Sequence, residues 1–323
     1  MATENKYFIF DNERKQTIPS IIKNMIFRIE GAFYKFFTCL RHPKWMDKKH
    51  DVSICAIFKN ESQYLREWIE FHIVIGVDHF YLYNNNSTDN FQCVIDEYIK
   101  TGVVTLIDWP YNQAQIEAYL DCIDKYRDET NWIGFIDIDE FVIPKKDHTI
   151  ISLLKKYRDY PAVLLYWRLF GSSGMLDRQR DGLVTEDFTA CWPKYDEVGK
   201  CFYNTAYEFD SKYKRNKFLH HYMWPSYKGI HYPPFNVDFH AVPRKHINKI
   251  DSSELSAQIN HYFTKTYEEY CEKKSRGDVY FKVNPHDEEY FYRHEMKCTN
   301  VDYSAYKYLI KLKLAMRQNK ACR

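Results

Sequence analysis

The sequence predicts an α/β fold, a three-layer sandwich with a mainly parallel central sheet. From residue 51 onward, short apolar runs alternate with helical periods of ten or more residues, which is the pattern of parallel strands joined by helices. Polar clusters follow the carboxyl ends of the first four predicted strands. In sheets of this kind, ligands bind at the carboxyl ends of the strands. The 323 residues are enough for one large domain with additions.

An amphipathic helix and a basic linker are predicted in residues 1–50, before the sheet. Apolar residues recur every three or four positions between Ile18 and Leu40, and basic residues follow. Two interpretations stay open. The helix packs on its own domain, or residues 18–49 make a peripheral contact with an anionic membrane surface.

Strands and helices then alternate in a regular series. The predicted strands are 52–58, 79–84, 103–108 and 132–137, and the predicted helices are 62–76, 89–102 and 113–128. A short helix and a strand running into a Gly/Ser-rich loop (162–174) follow. Periodicity weakens beyond residue 175 and returns in two helices, 266–277 and 304–320, which we expect to wrap the same domain.

Composition narrows the classes of function. The chain has 46 basic and 44 acidic residues, a net charge of +2, which disfavours a general nucleic-acid binder. Nine cysteines without a CxxC pair disfavour zinc fingers and a disulfide framework. The start lacks the pattern of a signal peptide, and no apolar run approaches the ~18 residues of a spanning helix. We therefore predict a cytoplasmic protein, with a peripheral position at the inner face of the membrane as an alternative.

Two aspartates stand directly after the fourth predicted strand, in FIDIDEF. On an extended chain Asp137 and Asp139 point to the same side. They can converge on one divalent cation, or one can hold the metal while the other holds a sugar hydroxyl. Glu140 points to the other side, and we expect it to anchor the loop. A D-x-D triplet is weak evidence alone, and its position after a strand makes it informative.

The second predicted strand ends in NNNSTDN. Asn and Asp side chains can cap their own turns, or these residues can bind a base and ribose at the edge of the sheet. Both interpretations stay open at this point. The candidates for nucleotide contact are Asn84, Asn86, Ser87 and Asp89.

Several segments together resemble glycosyltransferase family 92 and related bacterial family-2-like enzymes, which have the Rossmann-like GT-A fold. The resemblance runs from about Ser53 to Gly277 and is weakest from Cys191 to Lys245. The segments are CAIFKNESQYLREWIEFHIVIGVDHFYLYNNNSTD, QIEAYLDCI with WIGFIDIDEFVIP, YWRLFGSSG with GLVTEDFT, and INHYFTKTYEEYCEKKSRG.

The resemblance implies roles for particular residues. Asp137 and Asp139 match the DxD motif that coordinates Mn²⁺ or Mg²⁺ on the diphosphate of a sugar nucleotide, and His261 would complete that metal site. Lys265 would lie near the diphosphate. Asn84 stands where the family more often has Asp, which puts that contact in doubt. The further substrate-binding candidates are Asn60, Glu61 and Gln115.

The acceptor side carries other candidates. Glu186 and Asp187 are candidate general bases because they follow the loop expected to face the acceptor, although a solvated loop or helix cap is the alternative. Arg168 pairs either with the diphosphate or with a neighbouring carboxylate. The loop itself contributes Gly171, Ser173 and Gly174.

The resemblance therefore implies a metal-dependent inverting glycosyltransferase. It would move a sugar from a UDP-sugar to a glycan or lipid-linked saccharide, in surface polysaccharide synthesis; galactose is suggested only by similar members. The domain of residues 51–323 would divide into a nucleotide-sugar half (51–145), an acceptor half (146–265) and a helical tail (266–323). A nucleotidyltransferase-like enzyme is disfavoured by the lack of a phosphate-binding GxxxxGK[ST] loop. A non-catalytic sugar- or nucleotide-binding module is the other alternative.

Overall fold

The computed structural model describes residues 18–178, 182–243, 255–275 and 287–318. Its helices are α1 (Ile18–Leu40), α2 (Ser62–Val74), α3 (Phe91–Lys100), α4 (Gln115–Tyr126), α5 (Ile150–Leu154), α6 (Val184–Asp187), α7 (Tyr267–Ser275), α8 (Glu288–Lys297) and α9 (Tyr306–Gln318). Its longer strands are β1 (His50–Phe58), β2 (His79–Asn84), β3 (Val104–Asp108), β4 (Thr130–Phe135), β5 (Glu140–Pro144) and β6 (Ala162–Leu169). The remaining strands are β7 (Ala190–Cys191), β8 (Gly199–Asn204), β9 (Ser226–Tyr227), β10 (Ile230–His231), β11 (Phe235–Asn236), β12 (Ala257–His261) and β13 (Asn300–Val301).

The first half of the domain follows the predicted alternation. β1 to β4 and the helices α2, α3 and α4 all lie within two residues of their predicted bounds, and β2 spans 79–84 as predicted. Nearly every residue of β1 and all of β4 are buried. Strands that helices cover on both faces consist of nearly continuous apolar residues. This is why the sequence pattern predicted these strands correctly.

The central sheet is mixed. Within the described residues its order is β3-β2-β1-β4-β8-β6-β12-β5, with β11 beside β6. β3, β2, β1 and β4 are parallel, whereas β8 lies antiparallel between β4 and β6. β12 is parallel to β6 and antiparallel to β5. The α/β class and the mainly parallel sheet are confirmed, since five of the eight strand pairings among the described residues of this sheet are parallel.

The insertion of β8 depends on a glycine. A Cβ atom on Gly199 would lie 1.8 Å from the carbonyl oxygen of Leu165 on β6. Only a residue without a side chain permits this approach of the two backbones. Every residue of β8 is buried, including the polar Lys200 and Asn204. Those polar residues explain why the apolar pattern did not predict this strand.

The C-terminal helices pack on the same domain, as predicted. α9 packs on α2, where the Arg66 guanidinium donates to the Met316 carbonyl at 2.7 Å and the rings of Phe71 and Tyr308 are 5.7 Å apart. The predicted helices 266–277 and 304–320 correspond to α7 and α9; residues 276–277 and 319–320 lie outside the described residues, as do 1–17 of the predicted N-terminal segment. Among the described helices, none is both long and apolar enough to cross a membrane.

Candidate functional site

The turn between β4 and β5 carries the three acidic residues of FIDIDEF. The Trp68 indole N–H donates to the carbonyl oxygens of Asp137 and Glu140, at 3.0 and 2.9 Å. A Glu140 carboxylate oxygen accepts the Asp137 backbone N–H at 3.0 Å. Burial raises the pKa of Glu140, and the charges of Asp137 and Asp139 add to this effect, while Lys200 opposes it. Glu140 therefore anchors the turn. The prediction that it points away from Asp137 was wrong, because the chain turns here and both carboxylates contact the Lys200 ammonium.

Both carboxylate oxygens of Asp137 have partners in the protein. Its Oδ1 accepts from the Gln115 amide and the Tyr119 hydroxyl, each at 3.0 Å. Its Oδ2 lies 2.7 Å from the Nζ of Lys200, which is fully buried and also lies 3.4 Å from Glu140. Burial acts to lower the pKa of Lys200, but the two carboxylates outweigh it and raise the pKa. The charged Lys200 ammonium thus holds the Asp137 carboxylate in place.

Asp139 lies between two basic side chains. Its Oδ2 is 2.6 Å from the Lys273 Nζ on α7, and its Oδ1 is 3.7 Å from the His261 Nε2. His261 reaches it because β12 pairs antiparallel with β5 and places His261 opposite Glu140. Burial acts to raise the pKa of Asp139, but Lys273, His261 and Lys265 outweigh it and lower the pKa. The structure thus brings together the aspartate and the late histidine that the sequence singled out.

The donor atoms at Asp139 fit a divalent cation. Burial lowers the pKa of His261 to about 4, although Asp139 opposes this shift, so the imidazole is neutral at pH 7. The nitrogen that faces Asp139 is Nε2, whereas the buried Nδ1 has no hydrogen-bond partner among the described residues. A neutral imidazole beside an ionised carboxylate is a common donor pair for Mn²⁺ and similar ions. Both carboxylate oxygens of Asp137 already have protein partners, and a contact of Asp137 with the cation stays a prediction.

Lys265 adds positive charge beside Asp139. It is buried, and its backbone φ of 51° lies in the left-handed region that side chains rarely adopt. Its Nζ lies 3.6 Å from the centre of the Tyr64 ring. Burial lowers the pKa of Lys265, while Glu61 and Asp139 oppose this shift. Lys265 and Lys273 thus place two basic side chains near Asp139.

The loops after β1 and β2 are joined by side-chain hydrogen bonds. The Asn60 side-chain oxygen accepts the Thr88 backbone N–H at 2.7 Å, and the Ser87 hydroxyl accepts the Asn60 backbone N–H at 3.0 Å. A carboxylate oxygen of Asp89 accepts the backbone N–H of Ser62, the first residue of α2, at 2.8 Å. These contacts match the turn-capping interpretation.

Asn84 and Asn86, at the end of β2 and in the loop after it, differ from each other in their contacts and exposure. The Asn84 amide donates to Asp108 at 3.2 Å, while its oxygen accepts the Ser87 N–H at 3.0 Å. Asn86 is exposed and has φ of 54°. Nucleotide contact by Asn84, Asn86 and the rest of this loop stays a prediction.

The partners of the Arg168 guanidinium are residues other than Asp137 and Asp139. Its guanidinium donates to the Pro193 carbonyl at 2.9 Å and lies 3.8 Å from the Asp302 carboxylate. Of the two partners predicted for Arg168, a diphosphate or a neighbouring carboxylate, the structure shows the carboxylate. The preceding Trp167 ring, by contrast, lies 4.6 Å from the His261 ring and so borders the candidate metal site.

A glutamate on α8 fixes the Gly/Ser-rich loop. Glu295 accepts hydrogen bonds from the backbone and the hydroxyl of Ser172, both at 2.8 Å. A Cβ on Gly171 would lie 2.7 Å from that carboxylate, and Gly174 has φ of 77°. The Ser173 hydroxyl accepts backbone N–H groups of residues 189 and 190. These contacts give the loop one shape, and its contact with an acceptor stays a prediction.

The two candidate bases differ in their surroundings. Glu186 pairs with Lys313 of α9 at 2.5 Å. Burial raises the pKa of Asp187, while Arg178 opposes the shift. Arg178 in turn lies 3.7 Å from Glu269, which also accepts a hydrogen bond from the Tyr64 hydroxyl. The charges of Arg178 and Lys313 both act on Asp187, whereas the Glu186 carboxylate contacts Lys313 of α9 directly.

Sequence reasoning missed several residues of this network. The sequence spacing of Lys273 and Glu269 could have indicated that they act together. They lie four residues apart and hence on one face of the predicted helix 266–277. Lys200 had no such signal, since a single lysine in a short strand has no periodicity to distinguish it. Tyr119 had none either, since a tyrosine on the apolar face of a helix predicts a core residue.

Comparison with known proteins identifies the family. The sequence profile of "Glycosyltransferase family 92" matches residues 48–273. A glycosyltransferase family 92 protein from Oryza sativa subsp. japonica is 32% identical over 145 residues, 44% of this chain and 25% of that protein. The galactan beta-1,4-galactosyltransferase GALS3 of Arabidopsis thaliana is 33% identical over 129 residues, 35% of this chain and 25% of that protein.

The chain thus spans about a quarter of the length of these curated relatives. Among solved structures, S. aureus TarS 1-349 aligns over 48% of this chain and 47% of its own, with a TM-score of 0.34 and 13% identity. Similarity at that level adds nothing to the assignment. The profile covers most of the chain, and the chain belongs to glycosyltransferase family 92.

Proposed function

We propose that this protein transfers a sugar from a UDP-sugar to a saccharide acceptor, in a metal-dependent reaction that inverts the anomeric centre. The observation that carries the proposal is the grouping of Asp139, His261, Lys265 and Lys273 at the end of β4. An ionised carboxylate, a neutral imidazole and two ammonium groups form a site for a diphosphate and its cation.

The chemistry that such a site must supply is charge stabilisation. Departure of the nucleotide builds negative charge on the β-phosphate, and a bound Mn²⁺ or Mg²⁺ would offset that charge as a Lewis acid. Asp139 and His261 would hold the ion. Lys265, whose Nζ lies over the Tyr64 ring, would donate to the diphosphate, and the Lys273 side chain, 41% exposed, would turn from Asp139 toward a phosphate oxygen.

Relatives support the choice of sugar. Three galactan beta-1,4-galactosyltransferases of Arabidopsis thaliana match this chain at 27 to 33% identity. We therefore take UDP-galactose as the first donor to test and a glycan or lipid-linked saccharide as the acceptor class.

A screen of UDP- and GDP-sugars, with Mn²⁺ present, tests this function. Release of the free nucleotide is measured for each donor. We expect one UDP-sugar, and UDP-galactose first, to be consumed above the rate of a protein-free control. If UDP binds in calorimetry but no donor is consumed with a range of saccharide acceptors, the protein is a non-catalytic binding module.

Asp187 is our choice for the general base. In the Asp187→Asn protein we expect transfer to fall at least about a hundredfold, the usual size of a lost acid or base. Glu186→Gln is the matched control, because Glu186 already pairs with Lys313, and we expect less than about a threefold change. Initial rates of transfer to acceptor provide the measurement. If both variants keep the wild-type rate, the base lies elsewhere.

A further inference from the structure

Helix α1 contacts the rest of the chain through one face only. Residues Phe27, Gly31, Tyr34 and Thr38 recur at the three- and four-residue spacing of one helix face, and each is partly or fully buried. The Tyr34 ring lies 5.6 Å from the ring of Trp224. The helix is therefore attached to the domain along this side.

The opposite face of α1 is apolar and exposed. Its side chains are between 43% and 75% exposed, whereas large apolar residues that face a domain are normally buried. A continuous exposed patch of this size marks an interaction site. The residues are Ile18, Ile21, Ile22, Met25, Ile26, Ile29, Phe33, Phe36 and Leu40, and we call them the apolar stripe.

The stripe is broad. Adjacent residues such as Ile21 and Ile22, or Met25 and Ile26, are both apolar and both exposed. A helix that pairs with another helix needs only the narrow seam of two positions in every seven. A wide apolar face is instead typical of a helix that lies in the surface of a lipid bilayer.

The charge around the stripe points to the same partner. Residues 18–49 hold seven basic and two acidic side chains, in a chain whose net charge is only +2. Lys48 is bound within the protein, donating to the Arg127 carbonyl at 2.5 Å. Lys35 on α1 and Lys44, four residues after the end of the helix, are in contrast exposed. Exposed basic residues next to an apolar face favour a surface of anionic lipid.

We infer that α1 is an interfacial anchor, which inserts its apolar stripe into the headgroup region of a membrane that contains anionic lipid. The domain remains attached to the opposite face of the helix. α1 leads into β1 at the end of that strand remote from the candidate site, since Asp137 and Asp139 follow the other end of the parallel strands. This inference does not depend on the proposed function, and loss of the anchor leaves UDP-sugar hydrolysis in solution unchanged.

Sedimentation with vesicles tests the anchor in the full-length chain. One variant combines Ile22→Gln, Ile26→Gln, Ile29→Gln and Phe33→Gln, because glutamine preserves helix propensity. The matched control combines Ile310→Gln and Leu314→Gln, which are 71% and 52% exposed on α9. A third variant combines Lys35→Gln and Lys44→Gln. Far-ultraviolet circular dichroism and the melting temperature check that each protein is folded.

With vesicles of phosphatidylcholine and phosphatidylglycerol, we expect the wild type and the α9 control to sediment. The stripe variant should bind at least about tenfold more weakly, and the lysine variant should lose binding chiefly at low salt. Wild type that stays in the supernatant overturns the inference, as does a stripe variant that binds like wild type. A wild-type dimer that the stripe variant converts to a monomer, without lipid binding, assigns the stripe to a second copy of the chain instead.

Discussion

The Asp139→Asn protein is expected to consume UDP-sugar at least about a hundred times more slowly than the wild type, the size of effect that follows loss of one group stabilising a transition-state charge. The substituted amide would keep the shape of the side chain but would lack the charge that binds a cation beside His261. Lys273 and Lys265 would then face a neutral group. Initial rates of UDP release in Mn²⁺ measure the effect.

The same substitution should change the melting temperature little. Asparagine has nearly the volume of aspartate, and the partly exposed Lys273 can turn into solvent once its carboxylate is gone. Asp147→Asn is the matched control, since Asp147 pairs with Lys156 at the other end of β5. We expect wild-type turnover from that control. Unchanged turnover in the Asp139→Asn protein would rule out Asp139 as the cation ligand.

The Lys200→Met protein should lose about 3–5 kcal/mol of its free energy of unfolding, the range found when one partner of a buried ion pair is removed. Lys200 is fully buried between Asp137 and Glu140, at 2.7 and 3.4 Å. Methionine fills its space but leaves two carboxylates without their cation. Urea denaturation measures the loss.

Two further variants separate this ion pair from ordinary packing. Lys156→Met removes a cation that is 51% exposed, unlike the fully buried Lys200, and we expect a loss below about 1 kcal/mol. Combining Lys200→Met with Glu140→Gln removes one uncompensated charge and should restore part of the stability. If Lys200→Met costs no more than Lys156→Met, the buried lysine does not hold the turn.

The sequence predicted the parallel half of the fold because its strands are buried on both faces. The runs that became β1 and β2 are apolar almost throughout, and the helices between them keep a regular period. The pairing of the DxD turn with His261 was predicted through the resemblance of its surrounding segment, and β12 places the histidine there.

The second half of the sheet was predicted only in part, for physical reasons. β8 carries Lys200 in a fully buried strand, and this becomes favourable only when Asp137 and Glu140 meet it across the sheet. Such a contact depends on tertiary structure that no local pattern encodes. The same is true of Glu295, which holds the Gly/Ser-rich loop from a helix more than a hundred residues later.

The central claim is that a divalent cation at Asp139 and His261 binds the donor diphosphate. The most direct measurement is the rate of UDP-galactose consumption by the wild type in Mn²⁺ and after chelation. We predict a loss of at least about a hundredfold with the chelator and full recovery when Mn²⁺ is restored. Equal rates with and without Mn²⁺ would contradict the account and would assign charge neutralisation to Lys265 and Lys273 alone.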